Sequence, residues 1–264
     1  MKFSTLLRRL IFVPTCVICK ERLSPFTDSS ISTHGRACLC NSCYKKWREA
    51  TGELCTRCAM PSPKCTCIPK FLTKYYSKIP SLFFYESDED NAQNKVIYSL
   101  KRIKNRELTE FLAFELYPHV VGEIDNRNLS RDSLIFTWIP RKSSSISKYG
   151  FDQGKELARA LARLFGGKAY PIFLRLGGKE QKKLDVEQRK ENLEKSVILN
   201  YNLLGFPLAE TKDDIKLILE NKNIVIVDDI ITTGASMARV TELLRSVCNG
   251  EIIIASVAKT KKYI

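Results

Sequence analysis

The stretch Asn223-Ile-Val-Ile-Val-Asp228-Asp229-Ile-Ile-Thr232-Thr233-Gly234-Ala235-Ser236 sets two consecutive carboxylates, then hydroxyls and a glycine, behind a four-residue apolar run, Ile224 to Val227. Paired carboxylates accept hydrogen bonds from both hydroxyls of a vicinal diol. The turn Thr232, Thr233, Gly234, Ala235, Ser236 leads into a helical run, Met237 to Val247. It offers one phosphate the free N–H groups of a helix N-terminus, the positive end of the helix dipole and several hydroxyls. Glycine at 234 lets the backbone approach closely. Together these residues describe a clamp for a ribose carrying a 5′-phosphate. The competing readings are acids for a magnesium site, or a helix merely capped by Thr, Gly and Ser. A Walker-type Gly-x-x-x-x-Gly-Lys-Ser/Thr loop does not occur in the chain.

The second concentration of chemistry is sulfur. Of ten cysteines, Cys16, Cys19, Cys38, Cys40, Cys43, Cys55, Cys58, Cys65 and Cys67 lie near the start of the chain, and Cys248 stands apart. Cys16-Val-Ile-Cys19 and Cys40-Asn-Ser-Cys43 suit a tetrahedral zinc, each pair giving two thiolates from one tight turn. Cys55-Thr-Arg-Cys58 and Cys65-Thr-Cys67 form a less regular second set, which recruits Cys38, binds weakly or stays empty. Inert buried thiols are the alternative. All-sulfur coordination leaves no position for water, so these are structural rather than catalytic sites. His34 reads as a surface residue. Among the cysteines, Arg36, Tyr44, Lys45, Lys46, Trp47, Arg48, Arg57, Lys64, Lys70, Lys74, Tyr75 and Tyr76 make either a phosphate-tracking face with stacking rings or a solvated helix face with ordinary core aromatics.

These groups need elements to hold them. Phe3, Leu6, Leu7, Leu10 and Ile11 share one face of a short helix. Phe83 to Tyr85 reads as a strand; Val96, Ile97, Leu100 and Ile103 mark a helix, and Leu108, Phe111, Leu112, Leu116 and Val120 another. Leu134 to Ile139 is a buried strand ended by Pro140, followed by a Ser-rich loop. Leu157, Leu161, Leu164 and Phe165 define the helix after Phe151, and Ile224 to Val227 and Ile252 to Val257 are further strands. Alternating strands and helices predict an α/β fold, a parallel sheet flanked by helices with its ligand at the carboxyl ends of the strands. Residues 1–80 read as a small Cys-rich zinc-binding domain and 81–264 as the ligand-binding domain.

With 264 residues, 44% of them apolar, the chain has enough to bury a core, which excludes disorder and collagen-like repeats. A net charge of +14 points to anionic partners, and +10 of it falls in residues 1–80. Two zinc ions on eight thiolates would lower the total to about +10. Only four apolar residues, Leu10 to Val13, follow Arg8 and Arg9 before Pro14, which is short for a secretory signal. A reducing, cytoplasmic setting is the expectation, where clustered Cys-x-x-Cys pairs serve metals before disulfides.

The 223–236 stretch closely resembles the phosphoribosyl pyrophosphate (PRPP) motif of type I phosphoribosyltransferases. That resemblance implies that Asp228 and Asp229 hold the ribose hydroxyls and that Thr232 to Ser236 hold the 5′-phosphate. Ile139-Pro140-Arg141, then Lys148-Tyr149-Gly150-Phe151-Asp152-Gln153, resembles the strand exit and Arg-Gly-Phe-Asn-Gln element of the ComF family. Lys179, Gln181, Leu184, Arg189 and Asn192 resemble that family's flexible-loop segment, and Leu100-Lys101 its Leu-Lys element. Lys148, Asp152 and Gln188 depart from the more usual Arg, Asn and Glu. Lys148 keeps the charge but loses the bidentate fork of Arg. The resemblance implies a type I phosphoribosyltransferase-like domain behind a zinc-ribbon-like head. It further implies PRPP with Mg²⁺ as ligand, Arg141 near the pyrophosphate, Lys148, Lys179, Gln181 and Arg189 as further phosphate contacts, and a role with single-stranded DNA and a competence helicase in DNA uptake. Its rival is a working phosphoribosyltransferase of nucleotide salvage or synthesis.

Overall fold

A computed structural model of the chain describes residues 13–23, 38–86, 91–176, 196–200 and 211–264. The helix expected within residues 3–12, His34 and Arg36 lie outside the described residues, as does the segment carrying Lys179, Gln181 and Arg189. The described strands are β1 (Ser81–Tyr85), β2 (Leu134–Trp138), β3 (Phe173–Arg175), β4 (Val197–Leu199), β5 (Asn223–Ile231) and β6 (Ile252–Thr260). The described helices are α1 (Asn41–Thr51), α2 (Ala92–Arg102), α3 (Arg106–Asn126), α4 (Ser143–Tyr149), α5 (Gln153–Leu164), α6 (Lys212–Leu219) and α7 (Ala235–Arg245).

Four strands pair in the order β1-β6-β5-β2, all parallel, and β3 and β4 form a separate antiparallel pair. The central strands β5 and β6 are apolar on both faces, as strands covered twice must be. Val225 and Val227 with Ile253, Ala255 and Val257 pack against Leu112, Leu116 and Val120 of α3 and Leu157 and Leu161 of α5. Their neighbours Ile224, Ile226, Ile252 and Ile254 pack on the other side against α6 and α7, through Ile215, Leu219, Val240 and Leu244. Each such side chain contributes about 1.5–3 kcal/mol of transfer free energy on full burial. The expected α/β architecture is present, with helices on both faces.

The Cys-rich segment shares this core. Trp47 of α1 has none of its surface exposed and packs its ring 5.3 Å from Phe83 and 5.4 Å from Phe111, centroid to centroid. Cys16, Val17, Leu39 and Cys43 join the same apolar cluster. Trp47 and the buried Tyr76 are therefore core aromatics and not stacking platforms for bases.

Three local expectations change. The Ser-rich stretch after Pro140 is a helix, α4, stopped by Gly150 in the left-handed region at φ +76. Ile103 falls just beyond the end of α2 and is exposed. The apolar strand before the acidic doublet is longer than four residues: β5 runs through Ile231, so Asp228 and Asp229 lie inside it and Asp228 pairs with Ser256.

Candidate functional site

Adjacent strand residues point to opposite faces, and the two acids of β5 meet different partners. Asp229 is buried. Its Oδ2 accepts from Gln153 Nε2 at 3.3 Å and lies 3.5 Å from Lys101 Nζ at the end of α2. Its Oδ1 takes the N–H of Ile230 at 2.9 Å. Asp228 Oδ1 takes the N–H of Asp229 at 2.8 Å. Burial first, then the charge of Asp229, hold the Asp228 carboxyl well above the ordinary carboxylate range, against the pull of Lys101. A cation beside Asp228 would favour its charged form.

Arg175, at the end of β3, lies in the field of Asp228 and Asp152. Burial lowers its guanidinium below the usual value while both acids oppose that shift. Sequence reading did not single Arg175 out, because one basic residue at a strand end carries no local signal. Lys101 had a signal only through the Leu100-Lys101 element.

Past Ile231 the turn runs through exposed Thr232 and half-buried Thr233 to Gly234 at φ +81, where α7 begins. No side chain caps α7 at that position. The nearest hydroxyl, Thr233 Oγ1, takes the N–H of Ala235 at 3.4 Å. Half-buried Ser236 follows in the first turn. A backbone opened by a left-handed glycine, with the end of a helix dipole behind it, favours an anion.

Arg141 and Asp152 frame the neighbouring strand exit. Asp152 caps α5, its Oδ1 accepting from Gly154 N–H at 3.0 Å and Lys155 N–H at 3.4 Å, and its Oδ2 accepts the Arg141 N–H at 3.0 Å. An acid therefore performs the cap here. The Arg141 guanidinium lies 4.6 Å from the Tyr149 ring centroid and donates to Phe151 O at 3.4 Å. Lys148 is exposed, its Nζ 5.4 Å from the same ring.

The cysteines close into two quartets. Cys16, Cys19, Cys40 and Cys43 place their sulfurs within 4.8 Å of one another, and so do Cys55, Cys58, Cys65 and Cys67. Four converging sulfurs at that spacing fit structural zinc. The quartets are built alike. Cys16 N–H donates to Glu21 O at 2.8 Å and Cys55 N–H to Met60 O at 2.9 Å; Lys20 and Ala59 return their N–H groups to Cys16 O and Cys55 O, each at 2.9 Å. Lys20 and Ala59 both adopt positive φ, 65 and 52. Cys55-x-x-Cys58 is thus a knuckle of the same kind as Cys16-x-x-Cys19, and the irregular Cys65-x-Cys67 pair supplies the other two sulfurs of its quartet. The pair Cys40 and Cys43 is not a tight turn, however: Cys40 is the residue before α1 and Cys43 sits in its first turn. Cys38 belongs to neither quartet and is buried beside the first, contrary to its recruitment by the second.

Thiol acidity agrees with a metal role. Burial pushes Cys58 up, but the N–H of Met60 and the neighbouring thiols bring it down to about 6. Burial likewise opposes, and backbone N–H groups of Cys19, Cys40 and Ile18 outweigh, at Cys16, which settles at about 7. Cys67 is pushed up to about 12 by burial and then by its neighbours. In each quartet one thiolate forms readily, while the raised thiols Cys40 and Cys43 in the first and Cys65 and Cys67 in the second need a cation among them.

Among the described residues no helix is long and apolar enough to cross a membrane. Residues 153–263 match the family model of the phosphoribosyl transferase domain, a span that includes α5, β5, the acidic doublet, the Gly234 turn and β6. Among solved structures, the chain is similar to a hypoxanthine phosphoribosyltransferase from Staphylococcus aureus, with 16% identity over 60% of this chain and 67% of that one and a TM-score of 0.32. It is also similar to TT1426 from Thermus thermophilus, with 15% identity over 59% of this chain and 85% of that one and a TM-score of 0.27. No curated protein matches the chain.

Proposed function

We propose that this chain, with its phosphoribosyl transferase domain, binds PRPP or a related phosphorylated ribose at the end of β5, and that it is a ComF-like protein acting on single-stranded DNA during DNA uptake. The observation that carries the ligand reading is the juxtaposition of Asp228 and Asp229, within the last four residues of β5, with the uncapped Gly234 turn that follows the strand. The acids accept the ribose hydroxyls, and the N–H groups of Ala235 and Ser236 with the hydroxyls of Thr232, Thr233 and Ser236 take the 5′-phosphate. Arg141 at the exit of β2 and Arg175 in the field of Asp228 are the cations assigned here to the pyrophosphate side, with Lys148, Lys179, Gln181 and Arg189 as further contacts in the fuller reading. Asp228 and Asp229 are the acids that would hold a Mg²⁺ entering with PRPP, and the ion would supply positive charge against the pyrophosphate.

The DNA reading has support of a different kind. A groove of about 450 Å³ beside the exit of β2 is lined by Trp138, Lys155, Arg159, Arg163, Lys168 and Tyr170, and no acid lines it. Phosphodiester chains favour such a surface through release of counterions. A helicase of DNA uptake is the partner this role would entail.

A second reading, catalytic transfer, is favoured by the domain match itself. Pyrophosphate would leave the anomeric carbon through an oxocarbenium-like state stabilised by the surrounding charges rather than by a covalent nucleophile. Titration calorimetry with Mg–PRPP tests the shared premise: the wild type binds, and Asp228→Asn combined with Asp229→Asn abolishes binding while circular dichroism is unchanged. Equal affinity in the double variant would refute the clamp. Salt-sensitive binding of single-stranded DNA without turnover supports the first reading, and pyrophosphate release with a nucleobase or amine supports the second.

A further inference from the structure

Lys259 of β6 is 1% exposed. Its ammonium donates to the carbonyl oxygens of Cys65 at 3.3 Å and Cys67 at 3.5 Å and lies 5.5 Å from the Phe84 ring centroid. No ion pair joins it to a carboxylate among the described residues. A buried cation of this kind requires nearby negative charge, and a divalent metal on four thiolates is a centre of net charge −2. Lys259 also pairs in the sheet with Ile231, the last residue before Thr232. The second quartet thus touches the base of the phosphate turn through a single side chain.

A second path joins the quartet to the same turn. The chain leaving Cys67 passes Pro69 and crosses α7 through Tyr76. Leu72 is fully buried here, and a Cβ added to Gly234 would stand 2.8 Å from its Cγ and 3.2 Å from Pro69 Cβ. Tyr76 Oη lies 2.8 Å from Thr241 Oγ1, Lys74 Nζ lies 3.0 Å from Glu242 Oε1, and Tyr75 bonds the same carboxylate. Glycine at 234 therefore serves two needs: its positive φ, and room for the strap beneath it.

We propose that the second quartet, once it holds a metal, is a latch on the phosphate turn. It fixes the strap 68–76 and, through Lys259, the end of β6, with Leu72 and Lys259 as positioning residues. Metal at Cys55, Cys58, Cys65 and Cys67 and ligand at the turn then favour each other reciprocally. Among the described residues the first quartet clusters with α2 and α3, and the strap residues Ile68, Leu72 and Tyr76 cluster with α7 instead. The ligand half of this inference rests on the ribose-phosphate reading; the support of the turn does not.

The test uses the full chain and three measurements: zinc content, amide hydrogen exchange, and Mg–PRPP affinity. Cys67→Ser loses one zinc equivalent, and the amides of 232–241 exchange about tenfold faster, with those of α3 unchanged as a reference. Cys19→Ser loses the other equivalent and leaves the turn as it was. Leu72→Ala keeps both metals and reproduces the faster exchange; should Cys67→Ser fail to fold, this variant decides alone. Lys259→Met weakens zinc at the second site about tenfold against a chromogenic chelator and spares the first. PRPP affinity falls about tenfold in Cys67→Ser and Leu72→Ala. A wild type without metal at the second quartet, or unchanged turn amides in Leu72→Ala, overturns the latch. If the exchange results hold and the wild type binds no PRPP, the latch stands and the ribose-phosphate reading falls.

Discussion

Lys101 at the end of α2 and Asp229 inside β5 face each other, Nζ to Oδ2, at 3.5 Å across 128 residues of chain. The lysine is two-fifths exposed and the acid nearly buried, so the contact holds a carboxylate at the protein's edge while leaving its cation open to solvent. Gln153, from the first turn of α5, reaches the same oxygen. Asp229 is thereby fixed by two helices, and Asp228 is left as the acid that is hard to ionise.

Removing the lysine charge tests that division of labour. Lys101→Met is expected to weaken Mg–PRPP binding by up to about 1 kcal/mol, roughly fivefold, the range for a partly exposed pair. Calorimetry at low and high salt checks it, since the loss shrinks as salt screens the wild-type pair.

Asp228 should cost the apoprotein stability. Its folded pKa is raised above the reference value of 3.8, so below that pH it is protonated in both folded and unfolded states and carries no penalty. As pH rises through the raised value, the folded form must ionise a desolvated acid and stability is lost. Asp228→Asn is therefore expected to be more stable than the wild type at pH 7, by about 0.5–2 kcal/mol, as for other relieved site residues. Urea melts at descending pH should show the gap closing; a gap that widens toward acid would contradict the assignment.

The quartets separate Cys38 from its neighbours. Cys16→Ser or Cys43→Ser is expected to lose one of two zinc equivalents. Cys38→Ala should retain both and lose only ~1 kcal/mol of burial. Metal analysis with a chelator dye distinguishes them, and zinc loss in Cys38→Ala would mean the ligand set is wrong.

Gly234→Ala must place a side chain at φ +81 and against Leu72. A cost of about 1–3 kcal/mol follows from the backbone alone, read as a lower denaturation midpoint with zinc content unchanged.

At the neighbouring strand exit, Asp152→Ala should cost ~1 kcal/mol through loss of the α5 cap, whereas Asp152→Asn keeps an accepting oxygen and costs little. Thermal denaturation of the two variants makes the comparison.

Much of the site was legible before any tertiary contact was known. The carboxylate doublet, hydroxyl turn and glycine are contiguous, and local geometry suffices to bring contiguous groups to one strand end. The same holds for the Cys-x-x-Cys knuckles, whose hydrogen bonds span five residues. The sheet and its two helical layers were readable from hydrophobic period. What misled was also local. Ser143 to Tyr149 has the composition of a loop, yet Gly150 and the Arg141–Tyr149 contact favour a helical turn. The apolar run before Asp228 reads as the whole strand because acids are rare in paired strands, while the ladder to β6 continues past them.

The amino-acid sequence by itself therefore determined the two chemistries, sulfur at the head and an acid–hydroxyl turn near the tail, because both rest on neighbours in the chain. Only the tertiary structure decided what they touch. Lys259 against Cys65, Leu72 beneath Gly234, Arg175 in the field of Asp228 and Lys101 on Asp229 join residues tens to nearly two hundred positions apart. Such contacts depend on how the helices and strap pack on the sheet, and packing at that range leaves no period or spacing in the sequence to read.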